Sequence, residues 1–208
     1  AGVAGELLTS GEPVLAVCAD VARRREGLEQ LVAGMAPGGC LDVVSLEALG
    51  RDPGLASSYT HLVAVDPPPV AGGRELLAAA PSTGFLHLAW GAPEAEFALA
   101  VWRAGLDLRP ALTSVFRALR EAGDCQGTSL ERLLRGEGAH PRASAACGRV
   151  VRVLLELDLV EVEEGAEPLL RVTDSPRTEL ERSAAYRAYA ARLDAAENWL
   201  TRGGALAA

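Results

Sequence analysis

Four short apolar runs, separated by stretches with helical periodicity, make up the first half of the chain. The runs predict buried strands over residues 14–18, 40–44, 61–65 and 85–89, and the other stretches predict helices over 23–34, 46–49, 73–80 and 93–105. Short apolar strands that alternate with helices form parallel sheets whose two faces are both covered. Residues 1–106 are therefore predicted to form an α/β domain, a small three-layer Rossmann-like parallel sheet.

From residue 107 the pattern changes to three helices followed by two strands. The helices are predicted over 110–121, 130–135 and 142–157, and the strands over 159–162 and 169–172. Pro110 suits a first helical turn, Thr128 or Ser129 would cap the second helix, and Gly123 and Gly136 would end the first two helices. Three helices followed by a hairpin is the order of a winged helix-turn-helix, which is the fold predicted for residues 107–175.

The last segment, residues 176–208, is predicted to be a long C-terminal helix and a tail. Thr178 and Glu181 have the spacing of a capping box. Apolar side chains recur at steps of three and four residues, at Tyr186, Tyr189, Leu193, Ala196 and Leu200. Such a stripe needs a surface on which to pack.

Composition and charge exclude some classes of function and make others less favourable. The 208 residues include 20 cationic side chains, all of them arginine, so phosphate-binding loops and Schiff-base chemistry that depend on lysine are excluded. The net charge of −8 argues against nucleic-acid binding through bulk charge, although it leaves room for a local arginine patch. Most of the negative charge lies in residues 1–105, which carry 6 arginines against 12 acidic residues. An anionic partner is therefore expected to meet the second half.

The four cysteines form no CxxC pair, which predicts buried, unreactive thiols in a reducing compartment. No apolar run approaches the roughly 20 residues that span a bilayer, so no membrane association and a cytoplasmic location are expected. The chain begins at Ala1 instead of methionine, which suggests a part of a longer protein.

Candidate catalytic groups are few. A dinucleotide site needs glycines directly after the first strand, and residues 19–23 contain none, so no cofactor is predicted. Asp66 precedes three prolines and is similar to the acid-Pro-Pro-aromatic motif of amino-group methyltransferases, although position 69 is proline instead of an aromatic residue. The alternative is that Asp66 caps a rigid proline turn. His61 and His87 lie in apolar strands without metal-ligand spacing, and no catalytic or metal-binding residue is predicted.

A nucleic-acid contact is the chemistry that the second half suggests. Arg142, Arg149 and Arg152 fall on one face of the third predicted helix, with Arg135 in support from the helix before it. Arginine side chains suit phosphate oxygens, so these four are the predicted nucleic-acid-binding residues. Glu156 shares the face, so a solvated or domain-packing face stays open as the alternative.

Several segments resemble, in order along nearly the whole chain, the C-terminal region of RecJ-type single-stranded-DNA exonucleases of the actinobacterial kind. They are YTHLVAVDPP at 59–68, the stretch 97–122 with DLRPAL at 107–112, LERLLRG at 130–136, CGRV at 147–150, LLEL at 154–157 and RTELERS at 177–183. RecJ proteins degrade single strands from the 5′ end in DNA repair and recombination, with Mn²⁺ or Mg²⁺ held by a DHH motif and its neighbours. None of those catalytic motifs is present in the sequence.

The resemblance therefore implies a non-catalytic accessory region that follows the catalytic core. Its expected partners are single-stranded DNA, the upstream core of the same protein and possible repair proteins, and its own chain is expected to hold no cofactor. A protein-interaction or structural domain without direct DNA contact is the alternative, and a methyltransferase-like site at Asp66 is the third hypothesis.

Overall fold

The structure, a computed structural model, describes residues 2–33, 40–80, 84–138, 140–163, 165, 167–174 and 178–202. The predicted helix end at residue 34, the wing-tip residue 164, residues 176–177 and the tail from residue 203 lie outside the described residues. The chain divides into two compact units. Unit 1 comprises Ala1–Val101 and Ala195–Ala208, and unit 2 comprises Trp102–Asp194.

Unit 1 is built on four parallel strands in the order β2-β1-β3-β4. The strands are β1 Val14–Cys18, β2 Leu41–Ser45, β3 His61–Ala64 and β4 Phe85–Leu88. Every residue of β1 and β3 is buried, whereas the edge strands β2 and β4 are only partly covered. Continuous apolar runs such as that of β1 fit central strands of a parallel sheet because both faces are packed. The α/β class and the four predicted strands are confirmed.

Helices cover both faces of this sheet. They are α1 Gly2–Thr9, α2 Val21–Ala33, α3 Leu46–Arg51, α4 Gly72–Ala79 and α5 Ala92–Leu106, with a short 3-10 helix at Pro53–Ala56. On one face, Leu49 of α3 and Leu77 of α4 pack against alternate residues of β1 and β3. On the other face, Leu8 of α1 and Leu28 of α2 pack against the residues between them. This alternation follows from the two-residue period of a strand.

Unit 2 contains helices and a small antiparallel sheet around one core. Its elements are α6 Leu108–Ala122, β5 Cys125–Gln126, α7 Gly127–Arg135, α8 Ser144–Glu156, β6 Val160–Glu163 and β7 Leu169–Val172. The three strands lie in the order β5-β7-β6. Leu119 of α6, Val153 of α8 and Leu170 of β7 are completely or almost completely buried in this core. The two-residue strand β5 was not predicted.

Three helix starts differ from the prediction in unit 2, and the first of them, α6, begins at Leu108, two residues earlier than predicted. Helix α7 begins at Gly127, so Thr128 and Ser129 lie inside its first turn and neither is the cap. The Ser129 hydroxyl donates to the Gln126 carbonyl at 2.9 Å. Helix α8 begins at Ser144, two residues later than predicted.

The long C-terminal helix α9, Ala184–Thr201, is confirmed, but its predicted cap is wrong. Ser183 precedes the helix, and its hydroxyl oxygen accepts from the Tyr186 amide at 3.0 Å. Glu156 of α8 accepts from the Ala185 amide and the Ser183 hydroxyl, both at 2.8 Å. The Ala185 amide, and then the Ser183 hydroxyl, hold the pKa of Glu156 below its ordinary value. Thr178 lies too far upstream to cap a helix that starts at Ala184.

Candidate nucleic-acid interface

Arg142 fastens helices of unit 2 to one another. It lies before the first residue of α8, so its predicted place on the helix face beside Arg149 is wrong. Its guanidinium donates to the Leu134 carbonyl at the end of α7 and, at 3.1 Å, to the Ser114 hydroxyl of α6. A helix end leaves carbonyls without helical partners, and a cation is a favourable donor for them.

Arg149 is also engaged inside unit 2. Its Nη1 donates to the Gly105 carbonyl at the end of α5 at 2.9 Å. Its guanidinium also lies 5.8 Å from the centre of the Tyr189 ring of α9. These contacts make Arg149 a packing residue, which is the alternative that the sequence left open for this helix face.

Arg135 and Arg152 lie on the surface and form ion pairs within their own helices. Arg135 Nη1 lies 3.1 Å from a Glu131 oxygen, and Arg152 Nε lies 3.2 Å from a Glu156 oxygen. Their side chains are 43% and 65% exposed. Surface pairs of this kind are worth about 0–1 kcal/mol, so a phosphate could replace either carboxylate. Of the four predicted arginines, these two are the ones whose guanidinium groups an anion can reach.

Other arginines are better placed for an anion than those predicted. Arg117 and Arg120 of α6 are exposed, and within the described part of the chain their side chains form no hydrogen bond or ion pair. Arg109, Arg117 and Arg120 fall on one side of α6 by steps of eight and three residues. This stripe could therefore have been predicted from the sequence by the spacing of its arginines, as the face of α8 was.

A cleft of about 1060 Å³ opens beside α6 in unit 2. Its lining includes Arg109, Phe116, Arg117, Arg120, Leu154 and Leu180. Three carboxylates, Glu121, Asp124 and Asp174, also line it, and Arg171 binds Asp124 through Nε at 3.1 Å and through Nη2 at 3.2 Å. We call this space the α6 cleft.

The exposed side of the β5-β7-β6 sheet is acidic. Arg171 of β7 lies 3.1 Å from Asp124, 3.6 Å from Glu161 and 3.4 Å from Glu163. One cation therefore neutralises part of a group of three carboxylates. The remaining negative charge makes this side of unit 2 unfavourable for a phosphate.

Asp66 occupies the position where open α/β sheets usually bind ligands. The strand order reverses between β1 and β3, and ligands bind beyond the carboxyl ends of strands at such a point. Asp66, 5% exposed, accepts from the Ala19 amide at 2.9 Å and from Arg24 Nη2 at 2.5 Å. The Arg24 guanidinium also lies 3.8 Å from the centre of the Phe97 ring. Asp66 thus joins β3 to α2 and does not cap the proline turn.

The thiols next to this position and elsewhere are free, and one of them is exposed. Burial, followed by the charges of Asp66 and Asp20, raises the pKa of Cys18 to about 12, so this thiol is neutral near pH 7. Cys125 and Cys147 are also buried. The prediction of a buried thiol is wrong for Cys40, which is exposed, with its sulfur 3.6 Å from an Asp42 oxygen.

His61 of β3 and His87 of β4 face each other at the edge of the sheet, with Nδ1 of the first 3.1 Å from Nε2 of the second. Among the described residues, no group of three or more His, Cys, Asp or Glu side chains is arranged to hold a metal ion. Nor does any helix within the described ranges combine the length and apolar character required to cross a membrane.

Comparisons with protein-family models, with curated proteins and with solved structures found no match for this chain.

Proposed function

We propose that this chain is a non-catalytic accessory region of a RecJ-like 5′–3′ single-stranded-DNA exonuclease, and that unit 2 helps to hold the DNA strand. The observation that carries the proposal is the topology of unit 2. Helix, short strand, helix, helix and a two-stranded hairpin follow one another, and the short strand β5 pairs with β7. This is the order of a winged helix, a fold that commonly binds DNA.

Unit 1 supports a structural role for the first half. Four parallel strands with helices on both faces are consistent with a degenerate Rossmann-like domain. Its usual ligand position is filled by the Arg24–Asp66 ion pair and the Phe97 ring. The Mn²⁺ or Mg²⁺ of the parent nuclease is assigned by the resemblance to the upstream catalytic domain, and no residue of this chain is proposed as its ligand.

The mode of DNA contact follows from the arginine environments. The solvent-facing part of α8 offers Arg152 paired with Glu156, while Arg142 and Arg149 are engaged in packing. Base reading by a recognition helix needs several free donors in the major groove. We therefore propose backbone contact without sequence preference, which depends strongly on salt concentration.

The test is fluorescence anisotropy of the whole chain with labelled single-stranded and duplex oligonucleotides over a series of salt concentrations. Binding that favours single strands and weakens with salt supports the proposal, since arginine–phosphate contacts release counterions. Absence of binding at low salt contradicts it. The comparison variant combines Arg135→Gln with Arg152→Gln. It removes the two predicted arginines that an anion can reach and leaves the packing residues Arg142 and Arg149 unchanged.

A second candidate, a protein-docking domain, is favoured by the β4 edge of unit 1. Phe85 and Leu88 on this edge strand are 65% and 42% exposed. An open sheet edge with apolar side chains is a surface to which another chain can bind. If the upstream catalytic core docks there, Phe85→Ser will abolish its co-elution with this chain in gel filtration, and the unaltered chain will show no affinity for single-stranded DNA.

A further inference from the structure

The α6 cleft holds cationic groups that are available to a ligand. Arg117 and Arg120 are exposed and, across the described ranges, their side chains form no hydrogen bond or ion pair. Arg109, on the same side of the helix, is paired with Glu181 at 2.7 Å, and both side chains are more than half exposed. The stretch from Arg109 to Arg120 covers about 16 Å of helix, at 1.5 Å per residue. An extended anion lying along α6 would therefore meet three guanidinium groups.

An apolar surface lies next to these cations. Phe116 is half-buried on α6 and lines the same cleft, together with Leu154 of α8 and Leu180. Aromatic rings beside a cationic backbone track are the usual means by which proteins bind unpaired nucleotides, because every base presents a face that can stack. The cleft is also large enough to accept a base with its sugar.

The carboxylates of the cleft discriminate between kinds of nucleic acid. Three carboxylates balance the three arginines of the lining, and Asp124 is already bound by Arg171. Glu121 and Asp174 repel the phosphates of a duplex and gain nothing in return, because the pairing edges of its bases are already hydrogen-bonded to each other. An unpaired base instead offers N–H groups on its pairing edge, and carboxylates accept from such groups.

We propose that the α6 cleft binds a segment of single-stranded DNA, with backbone phosphates on Arg117 and Arg120 and a base against the Phe116 ring. This proposal rests on the DNA-holding function above, because it names the surface on which the strand lies. It moves the DNA contact from α8 to α6, and the acidic side of the small sheet stays free of DNA.

The experiment measures anisotropy of a fluorescein-labelled single-stranded oligonucleotide with the whole chain. Arg117→Gln with Arg120→Gln is expected to weaken binding by about tenfold and to make the slope of log affinity against log salt shallower by about 1.4, since each single-strand phosphate contact contributes about 0.7. Phe116→Leu keeps an apolar side chain in the core but removes the stacking face, and is expected to weaken binding at least about fivefold.

The matched control is Arg132→Gln with Arg192→Gln, which removes two exposed arginines of unit 2 outside the cleft and changes the net charge equally. Its affinity should stay within about twofold of the unaltered chain. Equal weakening by both double variants, or equal affinity for duplex and single strand, would overturn the cleft while leaving DNA binding in place. If the unaltered chain binds no DNA at low salt, the proposed function itself fails. Circular dichroism melting of every variant shows whether a loss of affinity reflects unfolding.

Discussion

At the scale of single residues, the Arg24–Asp66 pair is a largely buried link between α2 and the end of β3. Asp66 lies at the end of β3 with a side chain that is 1% exposed, and both of its oxygens accept hydrogen bonds. Arg24 lies on α2, so the pair fixes that helix to the central strand. Removing one partner of a buried pair leaves the other charge without compensation, which costs more than the pair contributes.

Asp66→Ala is therefore expected to lower the free energy of unfolding by about 3 kcal/mol. Arg24→Met combined with Asp66→Ala should cost clearly less than the sum of the two single variants, because no unpaired charge is left. Urea denaturation of the four proteins measures both quantities. Additive losses would show that the two residues stabilise unit 1 independently.

The histidine pair makes stability depend on pH. The two rings lie within hydrogen-bond distance, and burial, followed by the positive charge that His61 can carry, lowers the pKa of His87 below 6.5. In the unfolded chain His87 takes up its proton near pH 6.5, whereas in the folded chain it does so at lower pH. The unfolded state therefore binds more protons, and stability falls as the pH drops from 6.5 to the folded pKa.

His87→Gln should flatten this dependence, because an amide can hydrogen-bond to His61 without titrating. Urea midpoints at pH 5, 6, 7 and 8 test it. Below about pH 6.5 the urea midpoint should fall more steeply with decreasing pH for the unaltered chain than for the variant, and above that pH the two curves should be parallel. Parallel curves at every pH would mean that His87 does not cause the pH dependence of stability.

At the scale of elements, the six longer strands could be predicted from the sequence, whereas the starts of several helices and the two-residue strand β5 could not. A continuous apolar run such as that of β1 predicts a buried strand, because both faces of a central strand are covered by other elements. The start of α9 depends on Glu156, which lies 27 residues before Ser183 and supplies the second half of the cap. The spacing of the arginines predicts that Arg142 lies within the third helix of this half. In the structure Arg142 lies before α8 and donates to the Leu134 carbonyl of α7. Contacts between residues distant in sequence decided these boundaries.

The candidate site shows the same division. Exposure and spacing of arginines could be derived from the sequence, but the partners of Arg149 could not, because the Gly105 carbonyl is 44 residues away. The positions of Arg117 and Arg120 on one side of α6 could also be derived from their spacing in the sequence. What selects them is the lack of a partner among the described residues, a property of packing.

Helix α8 contains a glycine that packing does not require. Gly148 is exposed, and nothing lies within 4 Å of a methyl group placed there. Glycine in a helix interior costs about 1 kcal/mol relative to alanine, so Gly148→Ala should raise the free energy of unfolding by about that amount. Chemical denaturation checks the gain. If DNA lies on α6, affinity for single strands stays the same, whereas a loss would indicate close approach of DNA to α8.

At the scale of the whole molecule, unit 1 is completed by the last described residues of the chain. Ala196 and Leu200 are almost fully buried, and Trp199 donates through Nε1 to the Pro68 carbonyl at 3.1 Å. Pro67, Pro68 and Pro69 are all buried, so this carbonyl has little access to water. The conspicuous proline run is thus a structural element held by α9.

Trp199→Phe keeps most of the packing and removes the hydrogen bond. It should destabilise unit 1 by about 1 kcal/mol, since a buried carbonyl is left without that donor. Thermal unfolding followed by circular dichroism measures the loss. An unchanged melting temperature would show that the indole contributes through its ring alone.

The division of the chain has a consequence for its synthesis. Unit 2 is inserted between Val101 and Ala195, so the segment that completes unit 1 leaves the ribosome after all of unit 2. At 5–20 residues per second, the 93 intervening residues take about 5 to 19 s to translate. During that interval the nascent sheet is without its Trp199 contact, so unit 1 reaches its complete packing only after unit 2 has been synthesised.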